Sequence, residues 1–131
     1  MRASTETSRM LTEYYAAMEA KDHRVFGSYY ADDMTLTFGN SPEVKGRDNV
    51  ISAFNDALDK VVSLGHDLVN AWEEEGGVVF FESIGRWTLT NGVVIEIKAA
   101  SKITVVDGKF IDQRIYVDNA PLFEALEREK S

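Results

Sequence analysis

The chain has 131 residues and a formal net charge of −8. That length suits one domain with one core over 1–131, and the acidic balance repels phosphate backbones, so nucleic acid is not an expected partner. No cysteine, no bilayer-length apolar run and no apolar signal core at the start MRASTETSRM exclude disulfides and thiol chemistry, and lead to the expectation of a cytoplasmic protein without membrane contact.

The front half reads as helical. Met10, Leu11, Tyr14, Tyr15 and Met18 recur at helical spacing behind the capping stretch STETS. Asp22 is placed to cap a short second helix with Val25, Phe26, Tyr29 and Tyr30 on one face. MTLTF alternates, with Met34, Leu36 and Phe38 facing one way, so it reads as a short half-buried strand. A loop follows from Asn40 to Gly46. Asp48 is then the expected cap of a third helix with the stripe Val50, Ile51, Phe54, Leu58, Val61 and Val62.

The back half reads as four antiparallel strands, near 65–73, 78–89, 93–105 and 109–118, with breaks at EEEGG, TNG and VDG. A short helix follows, with Pro121 near its start and Leu122, Phe123 and Leu126 free to pack. Turn length decides the faces. Two-residue loops would bring Lys98 and Lys102 onto the face of Trp87, Ile115 and Val117, and burying an unpaired ammonium costs about several kcal/mol. Three-residue loops with bulged glycines at Gly92 and Gly108 instead set 83 against 99, 99 against 115 and 101 against 113. One face is then nearly all apolar, running through Phe81, Ser83, Gly85, Trp87, Ile97, Ala99, Ser101, Ile111, Gln113, Ile115 and Val117. The other face gains the pairs Arg86–Glu96 and Lys102–Asp112. Helices followed by a long one-sided sheet predict an α+β cone, a curved antiparallel sheet wrapped around N-terminal helices with room for a ligand.

EYYAAMEAKD, YYADDMTLTFG, VKGRDNVISAF and VVDGKFIDQRIYVD together resemble the nuclear transport factor 2-like superfamily, in its SnoaL-like (polyketide cyclase-like) branch. The resemblance covers essentially the whole chain. It implies the cone with its interior pocket, and often a dimer. It also implies a range of activities, since the superfamily includes ketosteroid isomerases, limonene epoxide hydrolases, polyketide cyclases and binding domains. Tyr14 matches the helical tyrosine of the isomerases, but Phe38 stands at the position of their base, and Ser101 or Ala100 at that of their late acid. The arginine and two aspartates of the epoxide hydrolases fall on Ser83, Gly85 and Ile115.

The remaining candidates have two readings each. Tyr14 is either a donor to a ligand oxygen or a core tyrosine with a satisfied hydroxyl. His66 is either a general base or a rim histidine, and its neighbour Asp67 points to the opposite face of the strand. Asp118 is either a base over the cavity mouth or part of a surface lattice with Arg114 and Tyr116. Met18, Phe38, Phe81, Ser83, Trp87, Ala99, Ser101, Gln113, Ile115 and Val117 are the expected pocket lining. Asn70 and Trp72 join them if their strand turns its even face inward. No cofactor and no metal site is expected, with two scattered histidines and no dense oxygen-ligand spacing. Phe80, Ile84, Val94 and Tyr116 on the outer face point to a homodimer through the sheet. The expected function is binding of a small apolar molecule. The alternative is a cofactor-independent isomerase, cyclase or hydratase using Tyr14 with His66 or Asp118.

Overall fold

The computed structural model describes residues 1–130. In chain order it comprises helix α1 (Thr5–Glu19), helix α2 (His23–Gly27), strand β1 (Tyr30–Phe38), the short strand β2 (Val44–Lys45) and helix α3 (Arg47–Asp59). Strands β3 (Ser63–Glu74), β4 (Val78–Thr88), β5 (Val94–Val106) and β6 (Lys109–Val117) follow, and helix α4 (Ala120–Glu129) ends the chain. The six strands form one curved sheet in the order β2-β1-β6-β5-β4-β3. All neighbours are antiparallel except β1 beside β6. With helices on the concave side, this is the α+β cone.

Local chemistry explains the helix ends. Ser4 caps α1, its hydroxyl accepting from the Thr7 amide at 3.1 Å. At the other end Lys21 takes a positive φ of 57°. The amides of Lys21 and Asp22 donate back to the carbonyls of Met18 and Ala17, so α1 ends in a Schellman turn without a glycine. The Lys21 ammonium donates to the Val61 carbonyl at 2.7 Å, which ties this corner to the start of β3. Asp22 caps α2 as expected, accepting from the Val25 amide. At α3 the expected cap is displaced. Gly46 is the N-cap at φ 92°, and Asp48 lies in the first turn. Part of the expected loop at 40–46 is β2. Tyr30 belongs to β1 rather than to the second helix, and Val25, Val62 and Phe123 lie on the surface.

The two hairpins differ. At β4–β5 Leu89 pairs with Val93 around a three-residue loop with Gly92 at φ 86°, so Ser83 faces Ala99 and Arg86 faces Glu96 as expected. At β5–β6 the loop has two residues. Asp107 and Gly108 both have positive φ, 52° and 75°, the conformation whose twist matches the flanking strands. Val106 therefore pairs with Lys109 and Val105 with Phe110, and the register then shifts so that Thr104 faces Asp112. This bulge around Ile111 does the job assigned to the loop and restores the parity. Ser101, Gln113, Ile115 and Val117 still point inward, while Phe110 is buried in place of Ile111. Ser101 faces Ile115, Ile103 faces Gln113 and Lys102 faces Arg114. Asp112 instead accepts from the Thr35 hydroxyl at 2.5 Å and from Arg114 Nε at 3.0 Å.

A third irregularity shapes β3. Leu64, His66 and Leu68 lie opposite Trp87, Gly85 and Ser83, but past Val69 the register shifts and Ala71 lies opposite Phe81. The extra residue reverses which side chains face in. His66 is therefore concave, whereas Asn70 and Trp72 turn away from the wall, and Trp72 stands opposite Phe80 on the outer face.

Candidate functional site

The concave face is packed by large side chains towards the β5–β6 hairpin. Tyr14, Tyr30, Phe26, Phe81, Ile103 and Phe110 are buried there in one cluster. Tyr14 stands edge-on to Phe110 with ring centroids 5.0 Å apart. Further along the same strands the inward residues become small: Ser83 and Gly85 on β4, Ala99 and Ser101 on β5. These four lie on adjacent strands, with Ser83 opposite Ala99 and Gly85 opposite Ile97. Short side chains cannot reach α1 and α3, and a cavity of about 70 Å³ remains.

Tyr14 and Gln113 close one end of this cavity. The Tyr14 hydroxyl lies 2.6 Å from the Tyr30 hydroxyl and 3.4 Å from Gln113 Oε1. A chain in which Tyr30 donates to Tyr14 and Tyr14 donates to Gln113 gives both hydroxyl protons and the Gln113 Oε1 a partner. Burial, above all, raises the pKa of Tyr14 and of Tyr30, so both phenols stay protonated donors. Tyr15 is likewise raised by burial and has the Ser101 hydroxyl as hydrogen-bonding partner.

His66 enters the wall from β3. Its side chain is 12% exposed, and its ring lies 4.3 Å from that of Tyr15. Burial lowers its pKa from 6.5 to about 4, so the imidazole is neutral at physiological pH. Nδ1 is buried with no hydrogen-bond partner. The nearest carboxylate oxygen is Glu19 Oε1 at 3.6 Å, which also accepts from the His66 amide at 2.6 Å. Asp67, the sequence neighbour, instead pairs with Arg86 at 2.8 Å.

Of the expected lining residues, Met18, Phe38, Ser83, Trp87, Ala99, Ser101, Gln113, Ile115 and Val117 surround the cavity together with Tyr14 and His66. Phe81 does not. It lies one inward position nearer the packed end, edge-on to Tyr15 at 5.8 Å. Asp118 does not reach the cavity either. It is exposed, and its carboxylate accepts from the Ala120 amide at 3.0 Å, holding the start of α4. The neighbouring Asn119 is the residue that turns inward. Tyr15, Phe54, Ala57, Leu58, Leu64 and Ile97 complete the wall. The apolar spacing of α3 carried a signal for Phe54 and Leu58. Nothing local marked Asn119 or Glu19, because their positions depend on how α4 and β3 dock.

A second cavity, a groove of about 270 Å³, opens beside the first between α3, α4 and the segment around Pro42. Phe38, Phe54, Ala57, Trp87 and Asn119 line both spaces, so an aromatic neck separates them. No carboxylate lines the inner cavity, and His66 is the one imidazole among its lining residues. Among the described residues, no cluster of three or more His, Asp or Glu side chains is placed to hold a metal ion. No helix among them is long and apolar enough to cross a membrane.

The curved sheet closed over helices is an α+β cone fold of the SnoaL-like kind. The model of the SnoaL-like domain matches residues 11–113, and the chain belongs to that family. Solved structures share the fold. One is a protein of Jannaschia sp. CCS1 described as a SnoaL-like polyketide cyclase, 15% identical over 96% of each chain with a TM-score of 0.80. An LEH-like epoxide hydrolase of M. tuberculosis is 17% identical, over 95% of this chain and 92% of its own, with a TM-score of 0.76. A protein of Catenulispora acidiphila with a ketosteroid isomerase-like fold, in complex with trimethylamine, is 14% identical over 81% and 82% of the two chains, with a TM-score of 0.73. No curated protein matches the sequence.

Proposed function

We propose that this chain binds a small, largely apolar molecule that occupies the inner cavity and extends through the aromatic neck into the groove beside α4. The observation that carries this reading is the patch of small residues at Ser83, Gly85, Ala99 and Ser101, which leaves a void in an otherwise densely packed concave face. Ligand sites usually measure about 300–1,000 Å³. The inner cavity at about 70 Å³ is too small alone, and with the adjoining groove of about 270 Å³ it reaches the lower end of that range. Gln113 and Asn119 would orient a polar end inside, and Trp87 and Phe54 would hold a flat apolar body at the neck. The test is native mass spectrometry for co-purified molecules, with fluorescence titration of Trp87 in a Trp72→Phe background against small phenols and naphthols. Saturable quenching that disappears in Gly85→Leu is expected. No bound molecule and no quenching by any compound would defeat the reading.

An acid–base enzyme is the second reading, favoured by the one observation that a neutral imidazole belongs to the cavity wall. The cyclase and epoxide hydrolase activities named for the structural neighbours are compatible with it. At such low identity those neighbours support the fold alone.

A homodimer through the outer sheet face belongs to the same proposal. Tyr116 and Phe80 are 57% and 42% exposed there, beside Trp72 and Ala100 in the cross-strand rows. These apolar side chains stand among Lys102, Glu82 and Arg114, a mixed face that an isologous interface would cover. Light scattering should report twice the chain mass, reduced to one chain in Tyr116→Glu; a monomeric parent protein would exclude it. We also place the protein in the cytoplasm. A fold that packs without any cysteine needs no oxidising compartment, and cell fractionation checks the location.

A further inference from the structure

His66 and Tyr15 line two spaces at once. On one side is the inner cavity, and on the other a surface groove that also includes Thr12, Glu19 and Asp67. The imidazole is therefore a section of the cone wall, with enclosed space on one side and solvent on the other. Nδ1 is the nitrogen turned to Glu19, at 3.6 Å, and it has no other partner. That distance is too long for a formed hydrogen bond. It still favours one tautomer, because a lone pair on Nδ1 would face a carboxylate oxygen, whereas an N–H there is attracted to it. With the proton on Nδ1, the lone pair is on Nε2. Glu19 itself is anchored, since the same oxygen accepts from the His66 amide at 2.6 Å. Asp67 leaves the imidazole alone, being paired to Arg86.

We propose that Glu19 and His66 form a proton-accepting pair set in the wall of the cone, with Nε2 taking a proton from a weakly acidic cavity ligand, a phenol or an enolisable carbonyl compound. The bond broken is the ligand's O–H or α-C–H, and its electron pair stays on the ligand as phenolate or enolate. The bond formed is Nε2–H. The resulting imidazolium closes the gap to Glu19, whose charge balances it, and the proton is later returned to the ligand or lost to water in the outer groove. Glu19 acts through His66 and is a positioning residue. Burial keeps the imidazole in the neutral form that can accept a proton, and the carboxylate offsets part of the cost of charging it there. The sequence offers His66 only Asp67 as a partner; the carboxylate that reaches it lies 47 residues upstream on α1.

The inference rests on the cavity reading above, and it is tested first without any ligand. Long-range ¹H–¹⁵N spectra of uniformly labelled protein report the tautomer of each histidine. Only two are present, and His66→Gln assigns them. At neutral pH the His66 Nδ1 should be protonated and Nε2 bare. Glu19→Gln keeps an oxygen for the His66 amide, and should lower the His66 titration midpoint by about half a unit or more as the imidazolium loses its counter-charge. An Nε2–H tautomer in the parent protein, or an unchanged midpoint in Glu19→Gln, overturns the pair. 4-Nitrophenol, a phenol acidic enough to ionise near neutral pH, is then added. A hydrogen bond from the phenol O–H to Nε2, read as an upfield move of the Nε2 resonance on binding, supports the proposal, because a base with a folded pKa of about 4 is not fully protonated by such a phenol at rest. Shifted Gln113 and Ala99 signals with the Nε2 resonance unmoved overturn it while leaving the binding reading intact. If 4-nitrophenol leaves every cavity signal unmoved, phenols are struck from the proposed ligands, and both readings lose that class.

Discussion

The two halves of the concave face are built from the same strands and fold differently in consequence. Towards the β5–β6 hairpin, Phe81, Ile103 and Phe110 meet Tyr14 and Tyr30, and the space is filled. Two to four residues away along β4 and β5 the inward positions are Ser83, Gly85, Ala99 and Ser101, and a cavity of about 70 Å³ remains. Backbone geometry is continuous across the boundary, since β4 and β5 pair without a register shift from Val78 to Thr88. Side-chain volume alone separates a structural core from a candidate binding site.

If that contrast is correct, substitutions at the two ends should act oppositely. The largest effect belongs to the packed end. Phe110 is fully buried and in ring contact with Tyr14, Tyr29 and Tyr30. Phe110→Ala should cost about 3–5 kcal/mol in chemical denaturation. A loss below about 1 kcal/mol would mean that this end is not a rigid core.

The boundary between the halves should respond to pH. In the unfolded chain His66 takes up a proton near pH 6.5, and in the fold only near pH 4. Its folded pKa is the lower of the two, so the unfolded state binds the extra proton between them. Stability is thus fully present above pH 6.5 and falls as pH drops towards 4, by about 3 kcal/mol at most. His66→Asn should remove this part of the acid dependence, and superimposable stability–pH curves for parent and variant would refute the assignment.

The smallest stability effect belongs to the cavity. A Cβ on Gly85 would find its nearest neighbours at 3.4 Å or more, the first being Trp87 Nε1. Gly85→Ala therefore fits, and should raise stability by about 0.5 kcal/mol through the unfolded chain. It should at the same time weaken ligand binding in the fluorescence titration several-fold. Marked destabilisation would show that the void is already filled by side chains in solution.

The contrast between the two halves was partly legible in the residues themselves. Alternation in β4 and β5 puts Ser83, Gly85, Ala99 and Ser101 on the apolar face, and the packing of α1 and α3 decides that the void lies at these four and not at Phe81. Parity was legible for Gln113, Ile115 and Val117, but by a different route from the one the glycines suggested. The Asp107–Gly108 loop is a two-residue turn, and the compensating bulge at Ile111 follows from the pull to bury Phe110. Asp118, ending a strand, is open in the sequence to two readings, a base at the cavity mouth or a member of a surface lattice. Its carboxylate is drawn instead to the Ala120 amide exposed at the start of α4, a short-range bond that no periodicity reveals.

By itself, then, the sequence determined the α+β order, the inward face of the central strands and the absence of a carboxylate from that face. These are local properties, carried by residue volume and by periods of two and 3.6. Only the tertiary structure decided that His66 belongs to the cavity wall, through the extra residue at Val69 that leaves Asn70 and Trp72 outside. It alone brought Glu19 of α1 to 3.6 Å from that imidazole, because the meeting of a helix and a strand so far apart in the chain is set by how their apolar faces pack.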